Sequence, residues 1–378
     1  MAERGTAVTS ARRALPPYPN GWYALAFSDE LVRGATLART LAGVELVLFR
    51  TASGQAYALE AYCPHLGAHL GHGGRVEGEQ LRCPFHGFRF DTGGQCVATR
   101  CGSKPPAGAK IHTWPLREVN GILLAALAAD GGTPSWEVPQ LDTTGWSSLV
   151  HRRFVLTSHP QETTENSVDL SHFAAVHGYE SVRMRRELVT DGPYLSTAYA
   201  AQRTVPVLSR LWPRLRFDFE YDTHIFGLGY SLVEVRVRGL EVRARLWVLP
   251  TPIDGERIAL CLAASGDGRS DVHRWLNWLP RTLRAALVAR GLRLGLVTDA
   301  SQDFAIWQHK RYIDRPALVG GDGPIGKYRA WAAQFYEASA APRARAAHAA
   351  REAIAVRSVG RTRNPTDDRG SNGVGNHA

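Results

Sequence analysis

At 378 residues the chain is long enough for two domains, each with a sizeable core, and a hydrophobic fraction of 44% with ten tryptophans excludes a disordered or fibrous protein. The formal charge of +10 suggests nucleic acid until it is located: 341–378 carry seven Arg against Glu352, Asp367 and Asp368, and Met1 to Arg13 carry three Arg against Glu3, so the two ends hold more than half of the surplus. The modest remainder suits an acidic partner protein better than a polyanion, with a plain solvated face the alternative, and no run approaches the ~20 apolar residues of a membrane-spanning helix.

Residues 1–17 are basic and rich in Ala, Thr and Ser, with no apolar run of leader type, and read as a flexible arm. Gly21 to Ser28, Val44 to Arg50 and Ala56 to Ala61 read as short strands, and Gly87 to Phe90 and Ile122 to Ala126 continue the pattern. Gly131-Gly132-Thr133-Pro134 and the Pro139 region mark a linker. Beyond it Arg152 to Thr157, Ser196 to Val205, Tyr230 to Arg238, Arg243 to Leu249 and Arg257 to Ala264 predict a second sheet, interrupted by helical stretches at Gln161 to His177 and Asp271 to about Arg311. The tail, 341–378, is basic with little to bury; an Ala/Arg helix is expected first and disorder from about Val356. The expected units are therefore 18–132 and 140–340, between the arm and the tail.

Two loops in the first unit carry chemistry. Cys63-Pro64-His65-Leu66-Gly67 and Cys83-Pro84-Phe85-His86-Gly87 each supply one thiolate and one imidazole, and a hairpin from Gly71 to Leu81 would bring their tips together. Two Cys on one iron and two His on the other is the ligand set of a Rieske [2Fe–2S] centre, a one-electron carrier. A tetrahedral zinc ion takes the same donors, but common zinc patterns keep like ligands together in each half, whereas this chain mixes them in both.

Asn20 to about Ala129 resembles the Rieske domains of ring-hydroxylating and related oxygenases. Rieske proteins of respiratory and photosynthetic complexes brace the cluster with a disulfide; here the corresponding positions are Ala68 and Phe85, so no brace forms. Those complexes also follow the second His-Gly with Ser, where this chain has Phe88. Fewer hydrogen bonds to the cluster imply a lower potential, suited to reducing an oxygen-activating iron.

The segment from Glu165 to His177 carries a second constellation. Asp169 and His172 are three apart and share a helix face, but His172 and His177, five apart, lie about 140° apart on a regular helix. Both ligate one metal only if the helix bulges or ends between them, and Gly178 makes such a break plausible. The bland alternative is a polar helix face. In the oxygenases that the first unit resembles, the Asn-x2-Asp-x2-His-x4-His pattern supplies the two His of a mononuclear non-haem iron, which implies His172 and His177 here. The third ligand is a downstream carboxylate that completes a facial triad with open positions; Asp303 matches best, with Asp299 the fallback and Asp314 a further candidate. The resemblance makes Asp169 the link between a cluster-bound His86 or His65 on one subunit and His172 on the next, which implies a head-to-tail homotrimer. Asn166 is expected near the iron, as a ligand or a hydrogen-bonding neighbour. His69, His72, His112, His151, His159, His224, His273 and His309 lack partners at ligand spacing and read as surface or supporting residues.

Asn20-Gly21-Trp22-Tyr23, His159-Pro160-Gln161-Glu162, Ile306-Trp307-Gln308-His309-Lys310, Asp314, Asp322-Gly323-Pro324 and Phe335-Tyr336 resemble the 3-ketosteroid 9α-hydroxylase oxygenases and the cholesterol 7-desaturase group. The resemblance implies an α+β protein: an N-terminal all-β Rieske [2Fe–2S] domain followed by a helix-grip catalytic domain with an antiparallel sheet. It further implies the terminal oxygenase component of a multi-component system. That component would use one [2Fe–2S] cluster, one Fe(II) and O2 as co-substrate to hydroxylate or desaturate a bulky, apolar, steroid-like small molecule. An aromatic or polyketide-like natural product is the alternative substrate. A Rieske electron carrier without catalysis is the alternative of another class, and it would leave the whole second unit unexplained. No Gly-x-Gly-x2-Gly follows a strand, so electrons would come from another protein, a ferredoxin and/or a flavin-dependent NAD(P)H reductase. Cys96, Cys101 and Cys261 remain as thiols, an odd set without a leader, from which a cytoplasmic location is expected.

Overall fold

A computed structural model describes residues 15–204, 216–239, 242–269 and 278–336. The tail at 341–378, most of the arm at 1–17, Val205 at the end of an expected strand, and the start of the helix expected from Asp271 lie outside the described residues. The first lobe contains β1 (Gly21–Phe27), β2 (Thr36–Leu41), β3 (Val44–Arg50), β4 (Ala56–Glu60), β5 (Arg75–Glu77), β6 (Gln80–Arg82), β7 (Arg89–Phe90), β8 (Cys96–Ala98), β9 (Thr113–Trp114), β10 (Leu116–Val119) and β11 (Ile122–Leu127). They form three small sheets ordered β1-β11-β10, β2-β3-β4-β9 and β5-β6-β7-β8. The expected hairpin between the two Cys/His loops is β5 and β6.

In the second lobe come β12 (Val150–Thr157), α1 (Pro160–Glu165), α2 (Leu170–Ala175), β13 (Glu180–Asp191), β14 (Tyr194–Thr204), β15 (Arg216–Phe226), β16 (Tyr230–Val237), β17 (Val242–Pro252), β18 (Arg257–Gly266), α3 (Arg281–His309) and α4 (Ile325–Ala332). Its seven-stranded sheet runs β12-β18-β17-β16-β15-β14-β13 with antiparallel neighbours. The 29-residue α3 lies across β12, β17 and β18. Its approach is close: a Cβ on Gly266 would stand 2.3 Å from the Ala285 carbonyl oxygen.

The lobes share a wall. β1 is Gly-Trp-Tyr-Ala-Leu-Ala-Phe, buried at every residue, and β11 likewise, so neither shows the alternation of a half-exposed strand. Tyr23, Leu25, Leu123 and Ala125 pack into the first lobe against Leu46 and Leu48. Trp22, Ala24, Ile122 and Leu124 pack the other way, against Tyr230, Trp247, Leu249 and Cys261 of the large sheet. The opposite face of that sheet meets α3 through Ile258, Leu260 and Leu262. The expected linker is strapped down rather than loose: the Trp22 indole N–H donates to the Trp136 carbonyl at 2.8 Å and Val138 is buried.

Several expectations need correction. The single helix expected over Gln161 to His177 is two short helices, and α3 begins at Arg281, after Pro280, and ends at His309. β2, β8, β9, β10, β13 and β15 lie outside the strands expected from the sequence. β15 has a plain signal, since Phe217, Phe219, Tyr221, Thr223 and Ile225 alternate with polar residues. β13, Glu-Ser-Val-Arg-Met-Arg-Arg-Glu-Leu-Val-Thr-Asp, has none: it is a largely exposed edge strand whose pairing with β14 slips three times.

Because Leu124 belongs to the face that joins the lobes, Leu124→Ala should cost about 2–5 kcal/mol. A denaturation midpoint read by tryptophan fluorescence measures this, and the wild-type curve should show one transition. Separate melting of the first lobe would contradict a shared wall.

Candidate metal centres

The two Cys/His loops are built alike. In the first, the Cys63 N–H donates to the Ala68 carbonyl at 2.9 Å and the Gly67 N–H to the Cys63 carbonyl at 2.9 Å; in the second, Cys83 N–H donates to Phe88 O at 2.7 Å and Gly87 N–H to Cys83 O at 3.2 Å. Gly67 and Gly87 close the turns at φ 74° and 69°, the left-handed region where a side chain is strained. The result holds both thiols inside, each 2% exposed, and sets the His65 and His86 rings 4.8 Å apart at 77°. His65 lies flat on Phe88 at 4.5 Å. His86 Nδ1 is buried without a hydrogen-bond partner among the described residues, a costly state that an iron atom would relieve. Burial, with a smaller contribution from neighbouring Cys83, pushes the Cys63 thiol up to about 11. The thiolate is therefore stable only beside a cation, and loading releases protons. Ala68 and Phe85 occupy the positions a bracing disulfide would need, so no brace can form there.

The second constellation depends on the break between α1 and α2. Asn166 caps the end of α1, and Asp169 (φ −86°, ψ 100°) starts α2, its Oδ1 accepting from the His172 N–H and the Ser171 hydroxyl, both at 3.1 Å. His172 stands in the first turn of α2, whereas His177 follows its end, where Gly178 turns the chain at φ 66°. The five-residue spacing is thus resolved by ending the helix. The two Nε2 atoms lie 3.1 Å apart, and Asp303 Oδ2 on α3 is 3.4 Å from His177 Nε2. All three ligand atoms lie within 4.8 Å of one another.

Each imidazole is aimed from behind. His172 Nδ1 is 2.8 Å from the Asp169 carbonyl, and His177 Nδ1 is 2.8 Å from Gln302 Oε1, so both rings donate outward and leave Nε2 for a metal. Burial depresses His172; it also opposes charge on His177, but the Asp303 carboxylate and Gln302 outweigh it and raise that ring above its ordinary value. Two imidazoles and one carboxylate on one side of a common point fit a divalent iron with open positions.

The remaining candidates are accounted for. Asp299 is engaged by Arg203 at 2.5 and 3.0 Å and by the Tyr179 hydroxyl at 3.0 Å, and Asp314 is exposed in the irregular segment after α3. Asn166 is half-buried on the cavity wall, outside the trio. Asp169 meets the His172 ring through its peptide carbonyl and not its carboxylate. His159 Nδ1 caps α1, His151 pairs with Asp29 at 3.0 Å, and His224 bonds Tyr194 at 2.7 Å, as the bland reading of the other histidines expects.

Gln302 was missed although it adjoins Asp303. So was the clamp on Asp169: the Leu170 N–H donates to the Asp322 carbonyl at 3.0 Å, Ser171 Oγ to Asp322 Oδ1 at 3.2 Å, and a Cβ on Gly323 would stand 2.3 Å from the Val168 carbonyl oxygen. This explains Asp322-Gly323 physically.

The trio forms part of the wall of a cavity of about 320 Å³ between α3 and the sheet. Phe173, Phe219, Val235, Leu246 and Leu292 make the wall mostly apolar, a lining typical of a small-molecule site.

Gln302→Leu should lower affinity for the mononuclear iron about 10–100-fold while leaving the cluster spectrum intact. Iron release to a chelator reads the first and absorbance the second; unchanged release would deny Gln302 its role in orienting His177.

Comparison with known proteins adds the following. Residues 128–336 match the 3-Ketosteroid 9alpha-hydroxylase C-terminal domain family, and residues 21–115 match the Rieske [2Fe-2S] domain family. The chain is 30% identical over 349 residues to Cholesterol 7-desaturase nvd 1 of Ciona intestinalis, covering 85% of this chain and 70% of that protein. It is 28% identical over 337 residues to a probable 3-ketosteroid-9-alpha-monooxygenase oxygenase component of Rhodococcus rhodochrous, covering 85% and 81%. Dicamba monooxygenase bound to dicamba superposes with a TM-score of 0.62 at 22% identity over 85% of this chain and 98% of that one. The same enzyme with non-haem iron superposes at 0.57 and 20%, over 86% and 98%.

Proposed function

Because the chain belongs to the Rieske non-haem iron oxygenases whose catalytic half is a 3-ketosteroid 9α-hydroxylase C-terminal domain, we propose that Cys63, His65, Cys83 and His86 hold its [2Fe–2S] cluster and that His172, His177 and Asp303 hold its catalytic iron. The protein is the terminal oxygenase component of a multi-component system, with one [2Fe–2S] cluster, Fe(II) and O2 as its reagents and its electrons drawn from a partner protein. The observation that carries the ligand assignment is the convergence of the trio, within 4.8 Å, on the wall of a largely apolar cavity.

When bound, the cluster supplies single electrons and the iron supplies oxygen activation. The chain's own residues do the rest. Gln302 and the Asp169 carbonyl hold the two imidazoles in the tautomer that presents Nε2. Asp303, 5% exposed, contributes a negative charge that offsets part of a dication's charge. Phe173 and the β15 to β17 side chains exclude water from the cavity and accept an apolar substrate. That substrate is a bulky, steroid-like molecule, hydroxylated or desaturated; the names of the desaturase and 9α-monooxygenase relatives support this class. A carrier with no catalysis would have no use for the trio or the cavity.

Asp169 is the proposed contact between subunits. Half-buried, with its carbonyl already on His172, it lies one hydrogen bond from the catalytic imidazole and offers its carboxylate to His65 or His86 of a neighbouring chain. Leu66 and Phe85, 65% and 60% exposed at the cluster tip, support an interface there, in a head-to-tail homotrimer. The partner is a ferredoxin and/or a flavin-dependent NAD(P)H reductase. No described helix is long and apolar enough to cross a membrane; the free thiols favour the cytoplasm. The functional units are 18–132 for electron transfer and 140–340 for catalysis.

The loaded protein should hold about three irons per chain, two in the cluster and one mononuclear. Cys83→Ser should abolish the visible colour and the rhombic paramagnetic signal. His172→Ala should retain both and lose the third iron with all turnover; a retained third iron would refute the trio. In Asp169→Asn the partner should reduce the cluster at a near-normal rate, while substrate-dependent reoxidation by O2, followed by stopped-flow absorbance, slows about 100-fold or more, on the order of 3 kcal/mol. Wild-type reoxidation would count against Asp169 as the contact.

A further inference from the structure

Beside the trio, the cavity contains a second cluster of ionisable side chains. Arg203 on β14 and Asp299 on α3, with side chains 12% and 15% exposed, pair at 2.5 and 3.0 Å. Arg203 Nη1 also donates to the Tyr179 oxygen at 2.7 Å, the Tyr221 hydroxyl donates to that oxygen at 3.2 Å, and Tyr179 in turn donates to Asp299 Oδ2 at 3.0 Å. The guanidinium lies 4.6 Å over the Tyr179 ring. Arg203, Asp299, Tyr179 and Tyr221 all line the cavity.

Taking two ions out of water is unfavourable even when they pair, and a wall that had only to hold a hydrocarbon is better made of apolar residues. The hydrogen bonds among the described residues show what the pair offers. Asp299 accepts on both oxygens, whereas Arg203 commits to described partners, Asp299 and Tyr179, three of the five N–H donors of a guanidinium. Donors are in surplus, so the cluster favours an acceptor atom. Asp299 cancels the charge of Arg203, so the surplus is presented without a net field and suits a neutral oxygen better than a carboxylate.

Position matters as much as chemistry. Asp299 lies one turn before Asp303 on α3, about 6 Å along the axis, and the Tyr179 ring spans the gap, its centroid 6.1 Å from that of His177.

We propose that Arg203, held by Asp299 and Tyr179 with Tyr221 beside it, binds the ketone or hydroxyl oxygen of an otherwise apolar ring skeleton and thereby determines which carbon faces the His172, His177 and Asp303 trio. This rests on the oxygenase reading of that trio.

The test uses the full, iron-loaded chain and needs no turnover. Dissociation constants for androst-4-ene-3,17-dione, dehydroepiandrosterone and oxygen-free 5α-androstane are read from quenching of tryptophan fluorescence, Trp307 being on the cavity wall. Wild type should bind at least one oxygenated probe about tenfold or more tighter than androstane, the range of a hydrogen bond to a charged group; the dione and the hydroxysteroid separate ketone from hydroxyl recognition. Arg203→Lys keeps a cation opposite Asp299 but loses the planar fork, and Arg203→Leu with Asp299→Leu removes both ions and avoids leaving one alone. Both variants should lose the preference, bind androstane within about threefold of wild type, and retain the third iron and the cluster spectrum. A wild type without the preference, one that binds none of the probes, or variants weakened equally toward all three would overturn the proposal; the last result would make the pair a brace for α3. Iron content is read separately, so loss of the third iron from wild type would sink the oxygenase reading while the binding preference is still judged by itself.

Discussion

The catalytic half of the molecule depends on one interruption of helix. Had Gln161 to His177 continued as a regular helix, His172 and His177 would point about 140° apart and share no ion. Asp169 prevents this by capping a new helix with its side chain while its carbonyl receives the first imidazole. The interruption would be unstable alone, since α1 and α2 have six residues each and short helices do not persist unaided. It is fixed from outside. Arg329 clamps Glu165 at 2.6 and 3.0 Å, the Tyr328 hydroxyl donates to the Gln161 carbonyl at 2.8 Å, and the Asp322-Gly323 loop closes over Val168 to Ser171.

The sequence disclosed chemistry better than geometry. Residues able to bind metal are few and polar and lie at short, recognisable spacings, so Cys63, His65, Cys83 and His86 stand out as candidate ligands, as do His172 and His177. Asp303 and Asp299 compete as candidates in the sequence because both fall on one face of one helix, a turn apart. What separates them is a partner 96 residues away in sequence, Arg203, and no local pattern reveals that pairing. β13 was hidden for a related reason: its residues satisfy β14 through backbone bonds and leave charged side chains in solvent, so no apolar alternation marks it. β15, by contrast, carries a full alternation of apolar and polar residues from Phe217 to Ile225. Asp322-Gly323-Pro324 attracted notice only by resemblance, and its function as a clamp emerges from backbone approach, which a one-dimensional pattern does not encode.

Two kinds of polar burial meet in the cavity. In the trio, two imidazoles and a carboxylate face one another with their lone pairs converging, which is unfavourable without a cation. In the neighbouring cluster, Arg203 and Asp299 cancel, and the two tyrosines pass hydrogen bonds in one direction toward the carboxylate. Burial pushes the Tyr179 and Tyr221 hydroxyls far above their ordinary range, so they remain proton donors at any physiological pH. The apolar wall heightens both effects by lowering the local dielectric.

The shared wall of β1 and β11 limits how such proteins can be recombined. β11 presents alternate side chains to the two lobes, and β1 does so apart from a register shift that turns both Leu25 and Ala26 into the first lobe, so the electron-carrying half is not a self-contained cassette. Severed after Leu127, it would expose Trp22, Ile122 and Leu124 as a greasy face; grafted onto a foreign sheet, it would need new residues at those alternate positions while the intervening row stayed unchanged. Exchange of one half alone would therefore require matching changes along both strands, at Trp22, Ala24 and Phe27 on β1 and at Ile122, Leu124 and Ala126 on β11.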